Sequence, residues 1–230
     1  RRQRQMCIRD SELGLRHTRI YFLRARSYAA LGNTAAATKD REQGMSDEPT
    51  DSLSYVARAV ERIGRDASGA RADLEKALEL DPTSAVARAN LAHVLSERLN
   101  EKQAALECLD RWIETYPKDA LAWGSRAVLR ARDGKGEEAV SDVDEALRWS
   151  RAPFTRYQTA CALALVSKEE PSRAERARKL IAQALEEEPQ LALDMRHDAD
   201  LVSLRGDMRF TRLIGAALVL VEDAKVEHGQ

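Results

Sequence analysis

The chain has 230 residues, 33% of them charged and only 5% aromatic, and its 37 Lys+Arg against 38 Asp+Glu leave a net charge of -1. Such a balance exerts no overall pull on nucleic acid or anionic lipid, which excludes a basic nucleic-acid-binding domain as the first reading. Ala, Leu, Glu and Arg dominate and Pro is limited to 6, a composition that predicts an all-helical protein.

The N-terminal stretch "RRQRQMCIRDS" has no apolar period and no signal-peptide core. Written in codons, Met6 to Asp10 can read ATG TGT ATA AGA GAC, which resembles a translated transposase mosaic end from sequencing-library adapters. Residues 1–11 are therefore expected to be an adapter-derived or disordered segment, with the native protein continuing upstream.

From residue 18 onward the prolines set a rhythm. Pro49, Pro82, Pro117, Pro153 and Pro189 are spaced by 33, 35, 36 and 36 residues, which points to an array of units about 34 residues long. Before most of these prolines a small residue is followed by an apolar one four positions on, then by another small one after three. Ala70, Leu74 and Ala77 show this, as do Ala139, Val143 and Ala146, and Ala177, Ile181 and Ala184. Those steps keep the three positions on one helix face. The first half of a unit has the same period, in Tyr21, Ala25 and Tyr28, in Trp123, Ala127 and Arg130, and in Tyr157, Cys161 and Ala164. Gly32 in "LGNT" and Gly134 in "DGKGE" are placed to stop first helices. Each unit is thus a helix-turn-helix hairpin closed by a proline step that cannot continue a helix.

On these residues the chain resembles the tetratricopeptide repeat (TPR) family: "LEKALELDP" at 74–82 is close to that family's second-helix consensus, and Trp123 stands at its early Trp position. The resemblance implies an all-α, right-handed TPR solenoid of about five helix-turn-helix repeats with a C-terminal capping helix. The array is expected over 12–194, with repeats starting near 18, 50, 85, 120 and 154, and the cap over 195–230. Three features depart from the pattern. Arg41 and Gly44 stand in the second helix of repeat one where the others have an apolar and a small residue, repeats two and three need about one extra turn residue, and the fifth carries an insertion around "SKEEPSR".

Candidate chemistry is sparse. Cys7, Cys108 and Cys161 are odd in number and lack CxxC spacing, so neither a disulfide framework nor a zinc knuckle is indicated, and a reducing, cytoplasmic location is expected. Cys161 in "YQTACALALVS" and Cys108 in "ALECLDRW" read as small buried residues rather than nucleophiles. His17, His93 and His228 lack partners at ligand spacing. Trp112, Trp123 and Trp149 read as packing residues, since a stacking platform for nucleic acid would need interleaved basic residues. The arginines of the first helices are expected to be solvated or paired with neighbouring acids. Neither a glycine-rich phosphate loop nor an HRD, DFG, GxSxG or HExxH motif is present, so the expectation is a non-enzyme without cofactor or metal. The longest apolar stretch, "LIGAALVLV" at 213–221, is about half the ~20 residues a bilayer span needs and reads as a packing helix, not a membrane insertion.

First helices of a TPR stack line a concave groove in which a protein or peptide partner docks. The resemblance implies groove positions at Phe22, Arg26, Tyr55, Ala59, Asn90, His93, Ser125, Arg132, Gln158 and Ala162. Of the two-carboxylate clamp found in chaperone-tail-binding TPRs only Asn90 matches, with Phe22 and Val56 at other clamp positions, which disfavours that partner. At the C-terminus, "MRHDADLVSLRGDMRF" gathers His197, Asp198, Asp200 and Asp207, ligand types for a hard metal. Asp200-Leu201, Leu204-Arg205, Asp207, Arg209-Phe210 and Leu213 also resemble a cap that follows the last TPR hairpin in bacterial, planctomycete-like Ser/Thr kinases. That resemblance implies turn and cap roles for the acids, packing by Leu201, Leu204 and Phe210, and an alternative function as the regulatory tail of such a kinase.

Overall fold

The computed structural model describes residues 17–168 and 170–227; the adapter-like residues 1–11 and His228 lie outside them. Every regular element among the described residues is helical. In chain order these are α1 (Thr18–Ala30), α2 (Thr34–Ser46), α3 (Ser52–Arg62), α4 (Ala67–Leu80), α5 (Ala85–His93), α6 (Lys102–Thr115), α7 (Ala120–Arg132), α8 (Gly136–Trp149), α9 (Pro153–Leu165), α10 (Pro171–Glu187), the single turn α11 (Ala192–Met195) and α12 (Met208–Glu227). Short 3-10 turns at Pro189–Leu191 and Ala199–Leu204 flank α11. The chain forms two compact units that divide within α6, between Cys108 and Leu109.

Local chemistry explains the boundaries. Side chains of Asn33, Asp51, Asp66, Ser84 and Asp119 accept hydrogen bonds from the first free N–H groups of α2, α3, α4, α5 and α7, while Pro153 and Pro171 open α9 and α10 where the missing N–H costs nothing. Gly32 and Gly134 have φ of 77° and 75°. Behind each, the next N–H reaches back to the carbonyl five residues earlier, Asn33 to Tyr28 and Lys135 to Arg130, so the glycine closes the helix and turns the chain.

In the first unit α1 packs on α2 and α3 on α4, with α1 beside α3 and α4 beside α5. The small-apolar-small triplet Ala70, Leu74 and Ala77 is fully buried in α4. In α2 the same register reads Ala37, Arg41 and Gly44, and the helix forms nonetheless because Phe22 of α1 fills the space. A Cβ on Gly44 would lie 2.8 Å from the Phe22 ring. Beyond His93 the α5 helix widens into a π turn over Val94–Arg98, with the Leu99 N–H bonded to the Val94 carbonyl. A π turn takes up one residue more than an α turn, which is how the extra residue of repeat three is absorbed. Asn100 then reverses the chain at φ 55°.

In the second unit α7 packs on α8, α9 on α10 and α9 beside α7, while α12 lies against α10. One apolar cluster runs through this unit from Ala127 and Val143 through Leu163 and Ile181 to Met195, Leu201, Leu204, Phe210 and Ile214. Burying each of its large aliphatic side chains contributes about 1.5–3 kcal/mol before chain entropy is counted. Asp207 accepts from the Arg209 N–H at the start of α12 and pairs with Arg178 at 2.6 Å, and those hydrogen bonds and charges hold its carboxyl below the usual range.

Candidate functional site

The first helices carry three kinds of side chain at the positions implied for a groove. Phe22, Ala59 and Ala162 are buried at 1%, 0% and 0% exposure, and Tyr55 is buried with its hydroxyl donating to Glu48 Oε1 at 2.8 Å. These four face neighbouring helices, so the groove assignment is corrected for them: they support the face and do not present it. A step of one residue turns a helix by about 100°, enough to swing a side chain from the open face into the interface. Arg26 and His93 are exposed, Arg26 within 3.8 Å of Glu61, and Asn90 is half-buried with Nδ2 donating to the Val86 carbonyl.

In the second unit the implied positions meet. Gln158 Nε2 of α9 donates to Ser125 Oγ of α7 at 3.0 Å, while Gln158 Oε1 is buried without a hydrogen-bond partner among the described residues. Gly124 permits this approach, since a Cβ there would lie 2.3 Å from Gln158 Oε1. Arg132, implied for the groove, is instead engaged inside the unit. Its guanidinium forms two 2.9 Å bonds to the two carboxylate oxygens of buried Asp200, so its charge is committed within the unit.

Asp200 belongs to the cluster that looked metal-like. Ligand atoms of Cys161, Asp198 and Asp200 all lie within 4.8 Å of one another. Asp198 caps the 3-10 turn through the Asp200 N–H at 2.9 Å, and its Oδ2 accepts from the Tyr157 hydroxyl at 2.5 Å and the Cys161 thiol at 3.4 Å. Burial and the Asp198 carboxylate push both the Tyr157 and Cys161 pKa values up, so both groups stay protonated donors. With an arginine on one carboxylate and two proton donors on the other, the cluster has the chemistry of a structural network between α7, α9 and the cap. His197 is exposed beside it.

The arginines followed a rule that the sequence reading missed. Arg24, Arg58 and Arg126 each precede the buried alanine of a first helix, Ala25, Ala59 and Ala127, and each forms a two-pronged pair with Asp40, Asp73 or Asp142 on the second helix of the same hairpin. Each aspartate lies three residues beyond the buried Ala37, Ala70 or Ala139. Arg62 and Arg130 add a second guanidinium to Asp73 and Asp142 at 3.0 and 2.8 Å. Arg58 also holds Glu48 and Arg126 also holds Asp110. Burial works against the Arg58 charge, but its bonds to Asp73 and Glu48 outweigh this and hold its pKa above the usual range. The recurring Arg-Ala and Ala-x-x-Asp pairs were the visible signal. Of the tryptophans, Trp112 is fully buried, Trp123 lies under Arg126 with Nε1 donating to the Pro117 carbonyl, and Trp149 is partly exposed between Lys118 and Arg148.

Hairpins with a small-residue contact, glycine or Asn turns and a C-terminal cap define an all-α fold of the tetratricopeptide class. Residues 65–129 match the family model described as tetratricopeptide repeat. Among solved structures, a thermophilic TPR protein of Thermus thermophilus aligns at TM-score 0.58 and 18% identity, over 88% of this chain and 99% of that one. A tetratricopeptide repeat protein from Parabacteroides merdae aligns at 0.54 and 21% identity, over 86% and 70%. MamA from Desulfovibrio magneticus aligns at 0.54 and 16% identity, over 74% and 97%. No curated protein sequence matches the chain.

Proposed function

We propose that this chain is a non-catalytic protein-interaction scaffold whose first helices dock a peptide or partner helix. The observation that carries the reading is the pair Ser125 and Gln158 in the second unit, half-buried polar side chains on the first helices α7 and α9 joined by a hydrogen bond, with the Gln158 amide oxygen left unsatisfied at their seam. The partner is a protein or peptide, not nucleic acid, and the location is cytoplasmic. No helix among the described residues is long and apolar enough to cross a membrane. Panning a random peptide library against the full chain, followed by calorimetric titration of a selected peptide, tests this. Ser125→Glu and Gln158→Ala should each weaken binding about tenfold, a loss near 1.4 kcal/mol, while Lys76→Glu on α4 should not. Selected peptides that tolerate both groove variants would sink the reading.

A second reading is favoured by the cap. Leu201, Leu204 and Phe210 are buried and Asp200 is ion-paired, so the kinase-tail-like motif forms a packed element covering α9 and α10. In that reading the chain is the regulatory C-terminal TPR region of a larger bacterial Ser/Thr kinase. The upstream coding sequence decides it: an in-frame kinase domain supports it, and a start codon directly before this segment removes it.

A further inference from the structure

A cleft of about 470 Å³ opens in the second unit, lined by α8, the α8–α9 turn, the start of α9 and α10. Four arginines, Arg148, Arg151, Arg156 and Arg176, line it against a single acid, Asp144, with Leu147 and Leu180 among its walls. This concentration of positive charge occurs in a chain whose net charge is -1. We infer that the cleft is a docking site for a short acidic segment of a partner protein that carries a leucine-like side chain between its carboxylates.

The arginines differ in how firmly they are held. Arg156 is only 14% exposed and is fixed by Glu187 at 2.5 Å and the Gln183 carbonyl at 3.4 Å, so it forms the rigid side of the cleft. Arg176 pairs with the exposed Asp144, and Arg148 makes one 3.4 Å contact to Glu145. Arg151 makes no hydrogen bond or ion pair among the described residues. Exposed pairs of this kind are worth at most about 1 kcal/mol each, so an arriving carboxylate exchanges for Asp144 or Glu145 at little cost and meets Arg151 with no competitor. Arginine forks suit carboxylates in a two-pronged geometry, and half-buried Leu147, with the edge of the buried Leu180, offers a small apolar wall that a bare phosphate chain does not use. A nucleic acid would require a longer row of cations tracking its backbone, whereas these are gathered in one cleft. The site is built from α8 and α10 together with Arg151 of the α8–α9 turn and Arg156 of α9, and it does not include Ser125 or Gln158.

Anisotropy titration of the full chain with a short fluorescein-labelled peptide alternating glutamate and leucine tests the proposal. The peptide should bind saturably and weaken with salt, and Arg151→Glu and Arg148→Glu should each cut affinity about tenfold or more. The same peptide with glutamine for glutamate should bind at least about tenfold more weakly, and Lys76→Glu on α4 should leave affinity unchanged. Both arginines are exposed, and circular dichroism should show parent-like helicity in each variant. Affinity unmoved by Arg151→Glu and Arg148→Glu, or an oligothymidylate of equal charge binding more tightly than the peptide, would overturn it.

Discussion

The α7/α8 and α9/α10 hairpins bury different chemistry at the same register. Before Ala127 stands Arg126, which grips Asp142; before Cys161, at the same register, stands the fully buried Ala160, and the residue three beyond Ala177 is Leu180. The α1/α2 and α3/α4 hairpins follow the first solution, with Arg24 on Asp40 and Arg58 on Asp73. A buried ion pair repays its desolvation only when geometry is good, so its net contribution is small even though breaking it is costly. The α9/α10 hairpin, sharing the apolar cluster with Leu201, Leu204 and Phe210, gains its stability from burial instead. The two halves of the comparison therefore differ in how they fail: ion-paired hairpins are brittle to loss of one partner, and the apolar one is sensitive to lost volume.

The largest effect should come from breaking a pair. Asp142 is 1% exposed and holds both Arg126 and Arg130, so Asp142→Ala is expected to cost about 3–5 kcal/mol in a urea titration. Replacing both members with leucine, Arg126→Leu with Asp142→Leu, should cost less than about 1.5 kcal/mol, because Arg130 retains Glu138 and Asp110 is open to water. If the double variant is as unstable as the single one, the pair is a true source of stability and the contrast with α9/α10 dissolves.

A smaller effect separates α1/α2 from the hairpins that share its ion pair. Gly44→Ala drives a methyl into the Phe22 ring and should cost about 1–3 kcal/mol, with Phe22→Leu in the same chain recovering part of it. At Ala77, the matching site of α4, the methyl is already accommodated, so no such coupling is expected there.

The fold class was legible because it is written in periods: proline spacing, small residues at steps of four and three, and glycine stops. Those patterns encode backbone and packing, which are local in sequence. Arg41 and Gly44 looked like a weak point in α2 because the compensating Phe22 lies on another helix. The ion pairs were half visible, since abundant Arg and Asp suggested pairing but not that Arg24, Arg58 and Arg126 share one register. For the groove, the period identified which helices matter and placed Phe22, Ala59 and Ala162 one helix face away from where they pack. Arg132 was assigned to the groove because its partner Asp200 is 68 residues distant.

Thiol reactivity probes the register where Cys108 stands in place of Asp40, Asp73 and Asp142. Cys108 and Cys161 are both buried, and burial together with Asp198 raises the Cys161 pKa. A raised thiol pKa favours the neutral form in the fold, so its stabilising contribution is full below the ordinary cysteine value and is lost as pH climbs through the raised one. In a Cys7→Ser background, reaction with an aromatic disulfide at pH 8 should be slow for both thiols and become fast only in denaturant. Free-cysteine rates in the native protein would mean that this register is open.

The smallest expected effect tests how the hairpins turn. Gly32 and Gly134 adopt φ of 77° and 75° after α1 and α7, whereas Asn100 takes φ 55° after the π turn. Asparagine tolerates this region better than other side chains but still pays for its Cβ, while glycine does not. Asn100→Gly should therefore leave stability unchanged or raise it by about 0.5 kcal/mol, net of the extra unfolded-chain freedom glycine brings. Asn100→Val places a β-branched side chain in the left-handed region and should lower stability by about 1–2 kcal/mol. A valine variant as stable as the parent would show that the turn after α5 shifts its φ freely, and that the left-handed closure belongs only to the two glycine-turned hairpins.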